Sequence, residues 1–244
     1  MSARPGFVDV HSHVCPSGDD GARTVEQGRE LCRSAARHGT RILFATPHVW
    51  PHLPLGAERE QGIRDAFSRL APQAGVELRL GFELTPSTRL LEHDLRRYEL
   101  QGTGAVLIEL PFVGSANLFF RLCEEAQAQG LRVIAAHPER TESVLEAPDV
   151  AAEIAGRGWL VQVNASSLTG WDGPEIEALA WRLLTHGTAS LVASDGHRPT
   201  RPVHLDDAYE RALERVGPGV SRLFDGSALG LDANLEAEAA SQQA

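Results

Sequence analysis

Short, continuously apolar runs alternate with longer amphipathic stretches along the chain. An apolar run that does not alternate with polar residues is typical of a parallel strand covered on both faces. We therefore predict seven buried strands, at residues 7–10, 41–46, 76–82, 105–110, 131–136, 159–163 and 190–193.

The amphipathic stretches between these runs predict helices. Several end just before a glycine, the residue that most readily adopts the positive φ of a helix C-terminus. About seven strand–helix units favour a parallel sheet rolled into a barrel, and a doubly wound open sheet is the alternative. The predicted helices cover residues 24–38, 57–70, 116–129, 147–156, 174–186 and 203–216.

The same pattern bears on domain organisation. No linker rich in proline, glycine or serine divides the chain, which predicts one domain over residues 1–231. Residues 232–244 are rich in alanine, glutamate and glutamine, and we expect them to form a disordered acidic tail.

Histidines and carboxylates stand at or just beyond the ends of most predicted strands. Parallel strands in a barrel have their carboxyl ends on one face, so residues far apart in sequence converge there. His11 and His13 are two residues apart and therefore share one side of their strand. The candidate set is His11, His13, Asp20, His48, Glu83, Glu109, His137, Asp195 and His197.

This set combines imidazoles with carboxylates and contains no cysteine, which suits zinc, manganese or iron. Nine donors are too many for one ion, so two or three divalent ions bridged by carboxylates fit better. The alternative is that each side chain only makes local hydrogen bonds at a strand end. For this alternative to be correct, each of the nine side chains would have to stand at a strand end without a role in metal binding, which favours the metal site.

Composition narrows the function further. The 244 residues include 33 acidic and 23 basic side chains, for a net charge of −10, and every basic one is arginine. Without lysine, Schiff-base and P-loop chemistry are excluded. The acidic balance disfavours binding to nucleic acids and anionic membranes. No apolar run is long enough for a signal peptide or membrane span, so we expect a cytoplasmic protein.

The strand-end segments resemble the polymerase and histidinol phosphatase (PHP) superfamily. They are most similar to the bacterial manganese-dependent tyrosine-protein phosphatases of capsule and exopolysaccharide operons. The resemblance extends from Phe7 to about Tyr209, with matching order and spacing. The segments read DVHSH with a following DDG, ATPH, GFELTP, LIELP, AAHPER, VQVNASS and ASDGHRPTRP.

The resemblance implies a distorted (β/α)7 barrel of TIM type with a trinuclear site. Its ligand sets would be His11, His13, Glu83 and Asp195 for one ion; Glu83, Glu109 and His137 for a second; and Asp20, His48 and His197 for a third.

Two phosphate-binding arginines are also implied by the resemblance. Arg140 matches the first, and Arg201 is the candidate for the second. The loop after His197 is shorter than in the family, so Arg198 competes with Arg201 for that role. His52, in the loop after His48, is a further candidate contact for the substrate.

The activity implied is hydrolysis of phosphotyrosine by a hydroxide that the ions generate from water. Mn²⁺ is the expected metal, with Fe, Zn, Co or Mg as alternatives. The expected partner is the tail of a bacterial tyrosine kinase of exopolysaccharide or capsule synthesis.

Other functions compete with this one. One alternative is a PHP phosphatase of a small metabolite such as histidinol phosphate, or another metal-dependent hydrolase. A non-catalytic metal-binding domain is disfavoured because the ligand set is complete. A cysteine-dependent phosphatase is excluded, because no arginine stands six residues after Cys15, Cys32 or Cys123.

Overall fold

The computed structural model describes residues 6–231 of the chain. The proposed tail at 232–244 lies outside this range. The strands are β1 (Phe7–Ser12), β2 (Thr40–Ala45), β3 (His48–Val49), β4 (Glu77–Leu80), β5 (Glu83–Leu84), β6 (Ala105–Glu109), β7 (Arg132–Ala136), β8 (Leu160–Asn164) and β9 (Leu191–Ala193). The helices are α1 (Val25–Arg37), α2 (Ala57–Leu70), α3 (Asn117–Ala128), α4 (Glu142–Glu146), α5 (Asp149–Gly156), α6 (Ala165–Leu168), α7 (Pro174–Thr185) and α8 (Asp206–Val216).

The predicted helices agree closely with these elements. The helix predicted at 57–70 coincides with α2, and α1 begins after Thr24, whose side chain accepts a hydrogen bond from the Gln27 amide. Glycines that closely follow predicted helices do have positive φ, between 74° and 91°: Gly39, Gly130, Gly158 and Gly187. None of the helices in the described part of the chain has the length and apolar character that a membrane span requires.

Every pairing between the named strands is parallel, which confirms the predicted α/β class. The strands form two ladders, β1-β2-β4 and β3-β5-β6-β7-β8-β9, and not the single continuous ladder that a regular barrel would have. β1 also lies beside β9. There the Asp195 amide donates to His11 O at 2.9 Å, and an isolated bridge joins Ser12 to Gly196.

Two interruptions separate the ladders. Thr46 and Pro47 lie between β2 and β3, and proline has no amide hydrogen for a ladder bond. Gly81 lies between β4 and β5, where a Cβ atom would come within 2.3 Å of the Leu100 side chain. Beyond the interruptions, His48 pairs directly with Glu83. The two interruptions therefore place His48 and Glu83, both candidate site residues, side by side.

Alternate strand residues contribute to two apolar cores. Val106 and Ile108 belong to the larger core, which includes the buried faces of the helices. Ala105 and Leu107 belong to a smaller core together with residues such as Phe44. Glu109 comes next in that alternation, so the smaller core leads toward the carboxyl ends of the strands.

The smaller core provides a test of this arrangement. Phe44 has no solvent exposure, so Phe44→Ala should lower the free energy of unfolding by about 3–5 kcal/mol, through lost burial and the cavity left behind. Urea denaturation measures this change. Leu213→Ala on α8, where the side chain is 37% exposed, is the matched control and should change stability by less than about 1 kcal/mol. Equal effects of the two substitutions would contradict the assignment of Phe44 to the core.

Candidate metal centre

The structure brings all nine candidate donors together at the carboxyl ends of the strands. The most enclosed group contains His11, His13, Glu83 and Asp195, all of them buried. His11 Nε2 lies 3.2 Å from His13 Nε2, so the two histidines do share one side of their strand. Both nitrogens also approach Glu83 Oε2, at 3.1 and 3.2 Å.

A second group lies next to the first. It contains Asp20, His48 and His197, and His13 is also within reach of it. Asp20 Oδ1 lies 3.2 Å from His197 Nε2 and 3.6 Å from His48 Nε2. Asp20 comes from the loop after β1, as the sequence predicts, and its side chain is partly exposed.

Glu109 and His137 are the remaining two donors, and both lie near Glu83. Donor atoms of Glu109, His48 and Glu83 lie within 4.8 Å of one another. His137 Nε2 lies 3.0 Å from Glu83 Oε1. In this structure Glu109 therefore groups with His48, whereas the family pattern groups it with His137.

The spacing of these donors tests whether cations fit the centre. Within the first group, His11 Nε2 and His13 Nε2 lie 3.1–3.5 Å from each other and from the nearest carboxylate oxygens of Glu83 and Asp195. Ligands about 2.0–2.1 Å from a tetrahedral ion lie about 3.3–3.4 Å apart. Glu83 Oε2 and His197 Nε2 are buried without a hydrogen-bond partner among the described residues. Buried donors that converge without such bonds fit divalent cations.

Burial and charge act against each other on the carboxylates of the first group. Burial would raise the pKa of Glu83, but the charges of His11 and His48 outweigh it and hold the pKa well below its usual range. Burial also opposes ionisation of Asp195, yet His11 and His13 hold its pKa well below the usual range. Both carboxylates are therefore ionised and available to a cation.

The pKa values of two neighbouring donors, Glu109 and His197, shift so that the neutral form of each is favoured. Burial, reinforced by the charge of Glu83, raises the pKa of Glu109 to about 8. Burial and the charge of His13 lower the pKa of His197 to about 4, which leaves this imidazole neutral. A neutral imidazole is the form that ligates a metal.

A chain of amides on β8 connects two of the donors, and sequence reasoning missed its first member, Gln162. His11 Nδ1 lies 3.0 Å from Gln162 Oε1, and Gln162 Nε2 donates to Asn164 Oδ1 at 2.7 Å. Asn164 Nδ2 then donates to Asp195 Oδ2 at 2.9 Å. This chain favours the His11 tautomer whose Nε2 lone pair faces the other donors.

Asp19 is a second residue that sequence reasoning missed. Its buried carboxylate accepts from the backbone amides of Gly21 and His48, at 3.1 and 3.0 Å, and lies 3.6 Å from His13 Nδ1. Asp19 therefore fixes the loop that carries Asp20. The adjacent acidic pair was visible in the sequence, but nothing there distinguished a buried anchor from a solvent-facing donor.

Two donors sit in the left-handed region of the backbone. His137 has φ 35° and Asp195 has φ 51°, and they are the only non-glycine residues with positive φ in the described range. Such conformations cost about 1–3 kcal/mol each and persist where surrounding contacts impose them. Here the Asp195 amide is held by His11 O, and His137 O accepts from the Arg140 amide at 3.1 Å.

The two predicted arginines converge on one oxygen. Arg140 Nη1 and Arg201 Nη2 donate to Asp195 Oδ2, at 2.9 and 2.6 Å. Their side chains are 19% and 29% exposed, so both guanidinium groups remain accessible beside the donors. Arg198, the competitor of Arg201, is exposed and instead lines a cavity next to Asp20 and His197.

Aromatic rings flank the donors on two sides. Trp50 stacks on His48, with 4.3 Å between the ring centroids, and the exposed His52 stacks on Trp50 at 5.2 Å. Phe112 stacks on His137 at 5.7 Å and also lies 5.3 Å from the Arg140 guanidinium. His52 is therefore separated from the donors by Trp50.

The cysteines are not candidates for the chemistry. Cys15, Cys32 and Cys123 are buried and free. Burial raises the pKa of Cys15 and that of Cys32 to about 12, so neither thiol is a nucleophile at neutral pH.

Fold and site together define the class: a parallel α/β protein with a cluster of histidines and carboxylates, suited to cations, at the carboxyl ends of its strands. Residues 7–224 match the family model described as capsular polysaccharide synthesis, CpsB/CapC. The chain therefore belongs to the CpsB/CapC family.

Individual relatives agree with this membership. The tyrosine-protein phosphatase YwqE of Bacillus subtilis is 29% identical over 215 residues, which are 83% of this chain and 82% of YwqE. The tyrosine-protein phosphatase CpsB of Streptococcus agalactiae serotype III is 27% identical over 217 residues, 84% of this chain and 88% of CpsB.

Two solved structures are similar to this chain, the first in sequence and fold and the second in fold alone. One from a study of YwqE and Streptococcus pneumoniae CpsB, described as unique metal-dependent tyrosine phosphatases, aligns with a TM-score of 0.77 at 26% identity, covering 88% of this chain and 90% of that one. The inactive dihydroorotase-like domain of a Chaetomium thermophilum multifunctional protein has a TM-score of 0.60 at 11% identity, covering 93% of this chain and 80% of that one. The second likeness concerns the fold alone.

The amide chain on β8 yields a test of the centre. Gln162→Leu removes the partner of His11 Nδ1, so we expect Mn²⁺ affinity to fall about 10- to 100-fold, measured by calorimetry on metal-stripped protein. Gln127→Leu, which removes a hydrogen bond to Trp159 outside the centre, is the control and should leave the affinity unchanged. Unchanged affinity in Gln162→Leu would show that this bond does not orient His11.

Proposed function

We propose that this chain is a metal-dependent phosphatase that hydrolyses phosphotyrosine in a protein of capsule or exopolysaccharide synthesis. The observation that carries the proposal is the pair Arg140 and Arg201, whose guanidinium groups meet at Asp195 beside the buried donors. A guanidinium fork matches the oxygens of a phosphoryl group. Family membership and the named phosphatases among its relatives support the same activity.

The donors would hold three divalent ions, with Mn²⁺ as the proposed metal. His11, His13, Glu83 and Asp195 would hold one. Glu83, Glu109 and His137 would hold a second, and Asp20, His48 and His197 would hold a third. When bound, such ions lower the pKa of coordinated water and offset the charge of phosphate oxygens.

The side chains around the donors would do the rest. Arg140 and Arg201 would bind and orient the phosphoryl oxygens, exchanging their contact with Asp195 for one with the substrate. Gln162 and Asn164 would keep His11 and Asp195 in place. All the donors except Asp20 are buried, which limits their contact with bulk water.

The aromatic rings favour an aryl phosphate over an alkyl phosphate such as histidinol phosphate. Phe112 is 46% exposed while its ring stacks on His137, so it offers a surface to a phenol ring beside Arg140. Trp50 and His52 provide a similar surface on the side of His48. Ring–ring contacts of this kind are worth about 0.5–1.5 kcal/mol beyond the area that they bury.

The two parallel ladders would form one distorted (β/α)7 barrel. β2 with β3 and β4 with β5 would each count as one interrupted strand, which gives seven strands in all. The contact of β1 with β9 supports closure of the ring at that edge.

Phosphate release tests the proposed activity directly. With Mn²⁺, the protein should hydrolyse a tyrosine phosphopeptide and p-nitrophenyl phosphate faster than histidinol phosphate, and stripping with EDTA should abolish all three activities.

His137→Ala should lose roughly 100-fold or more of the turnover, because Glu83 loses a contact. Cys15→Ser should retain the turnover. Full activity after EDTA, or loss only in Cys15→Ser, would refute the metal mechanism.

Arg140 separates phosphate binding from metal binding. Arg140→Ala should lower kcat/KM for p-nitrophenyl phosphate by roughly 100-fold, since a charged donor to the phosphoryl group is lost. Its Mn²⁺ content, measured by mass spectrometry of the purified protein, should equal that of the unmodified chain. Arg121→Ala on α3 is the control and should retain activity. A parallel loss of metal in Arg140→Ala would make Arg140 a support of Asp195 and not a phosphate ligand.

A further inference from the structure

A cavity of about 640 Å³ opens directly beside the donors. Asp20 and His197 are part of its lining, and so are Ser34 and His204, which are joined by a contact of 2.8 Å. Ligand sites usually measure about 300–1,000 Å³. A phosphoryl group occupies only a small part of this space, so the cavity can hold more of a substrate than its phosphate.

The cavity is lined by three exposed arginines. Arg23 precedes α1, Arg37 ends α1 and Arg198 follows β9. Among the residues that the structure describes, no carboxylate lies within ion-pair distance of these three guanidinium groups. Glu30 is the other exposed acid on the lining besides Asp20, which belongs to the donors.

Several arginines elsewhere on this acidic chain are paired with carboxylates. Arg29 contacts Glu26 at 2.9 Å, and Arg64 contacts Glu60 at 2.7 Å. Arg157 contacts both Glu124 and Glu153. The lining of the cavity is therefore a locally basic surface on a chain with a net charge of −10.

Part of the lining is apolar. Ala22, Leu31 and Val203 are buried at its wall, and Pro199 and Pro202 are exposed. An apolar wall with separated guanidinium groups suits an extended peptide that carries carboxylates, because each arginine can bind a carboxylate through two parallel hydrogen bonds.

We propose that this cavity binds the peptide segment next to the phosphotyrosine and selects aspartate or glutamate side chains in it. The proposal rests on the proposed phosphatase function. It adds a second kind of contact with the substrate. Arg140 and Arg201 bind the phosphate, and the arginines of the cavity bind acidic side chains on either side of the phosphotyrosine.

Two phosphotyrosine peptides of equal length test the proposal, one with aspartate and glutamate around the phosphotyrosine and one with asparagine and glutamine instead. The unmodified protein should have a higher kcat/KM for the acidic peptide, and the difference should shrink with added salt. Arg23→Gln/Arg37→Gln should lose roughly three- to tenfold for the acidic peptide, through KM, and nothing for p-nitrophenyl phosphate. Arg23→Lys/Arg37→Lys should retain only part of the preference, because lysine keeps the charge but cannot form the two parallel hydrogen bonds.

Arg33→Gln is the matched control, because Arg33 is exposed on α1 but does not line the cavity. Equal kcat/KM for the two peptides, or an equal loss for p-nitrophenyl phosphate in the double variant, would overturn the proposal. Failure of the phosphatase function itself would look different, since no substrate would then be hydrolysed. In that case, fluorescence anisotropy with non-hydrolysable phosphonate versions of both peptides still decides whether the cavity prefers the acidic one.

Discussion

The buried carboxylate of Glu83 lies between four imidazoles, and the remainder of the site is arranged around this contact. Oε2 approaches His11, His13 and His48 at 3.0–3.2 Å, and Oε1 approaches His137 at 3.0 Å. So many lone pairs in a water-poor interior repel one another unless positive charge lies among them. Protons can supply that charge, and divalent cations supply more of it at the same distances.

The surrounding structure keeps this costly arrangement in place. Gln162 and Asn164 connect His11 to Asp195, and Asp19 anchors the loop that brings in Asp20. The left-handed backbone at Asp195 is held by the hydrogen bond to β1. Rigid support of this kind positions ligands within a fraction of an ångström, which a loop alone would not do. The arginines then add positive charge where a phosphate would sit.

Much of the centre could be predicted because its residue types are unusual at strand ends. Nine histidines and carboxylates at the ends of apolar runs predicted one cluster, and the structure has it. The supports were harder to find, since Gln162 in VQVN looks like any polar residue in a strand. Whether Glu109 groups with His48 or His137 was also beyond prediction, because that depends on ångström-scale differences in strand register. The resemblance, not periodicity, singled out Arg140 and Arg201.

The sequence by itself determined the α/β class, six of the eight described helices to within three residues, and which histidines and carboxylates come together, since each follows from local periodicity, capping and residue chemistry. The tertiary structure decided how the strands divide into two ladders at Pro47 and Gly81, and which donors share a site. It also decided that Arg201 and not Arg198 meets Asp195, and that Arg198 joins Arg23 and Arg37 along a cavity. These outcomes depend on distances between residues remote in sequence, which only the packing of the whole chain sets.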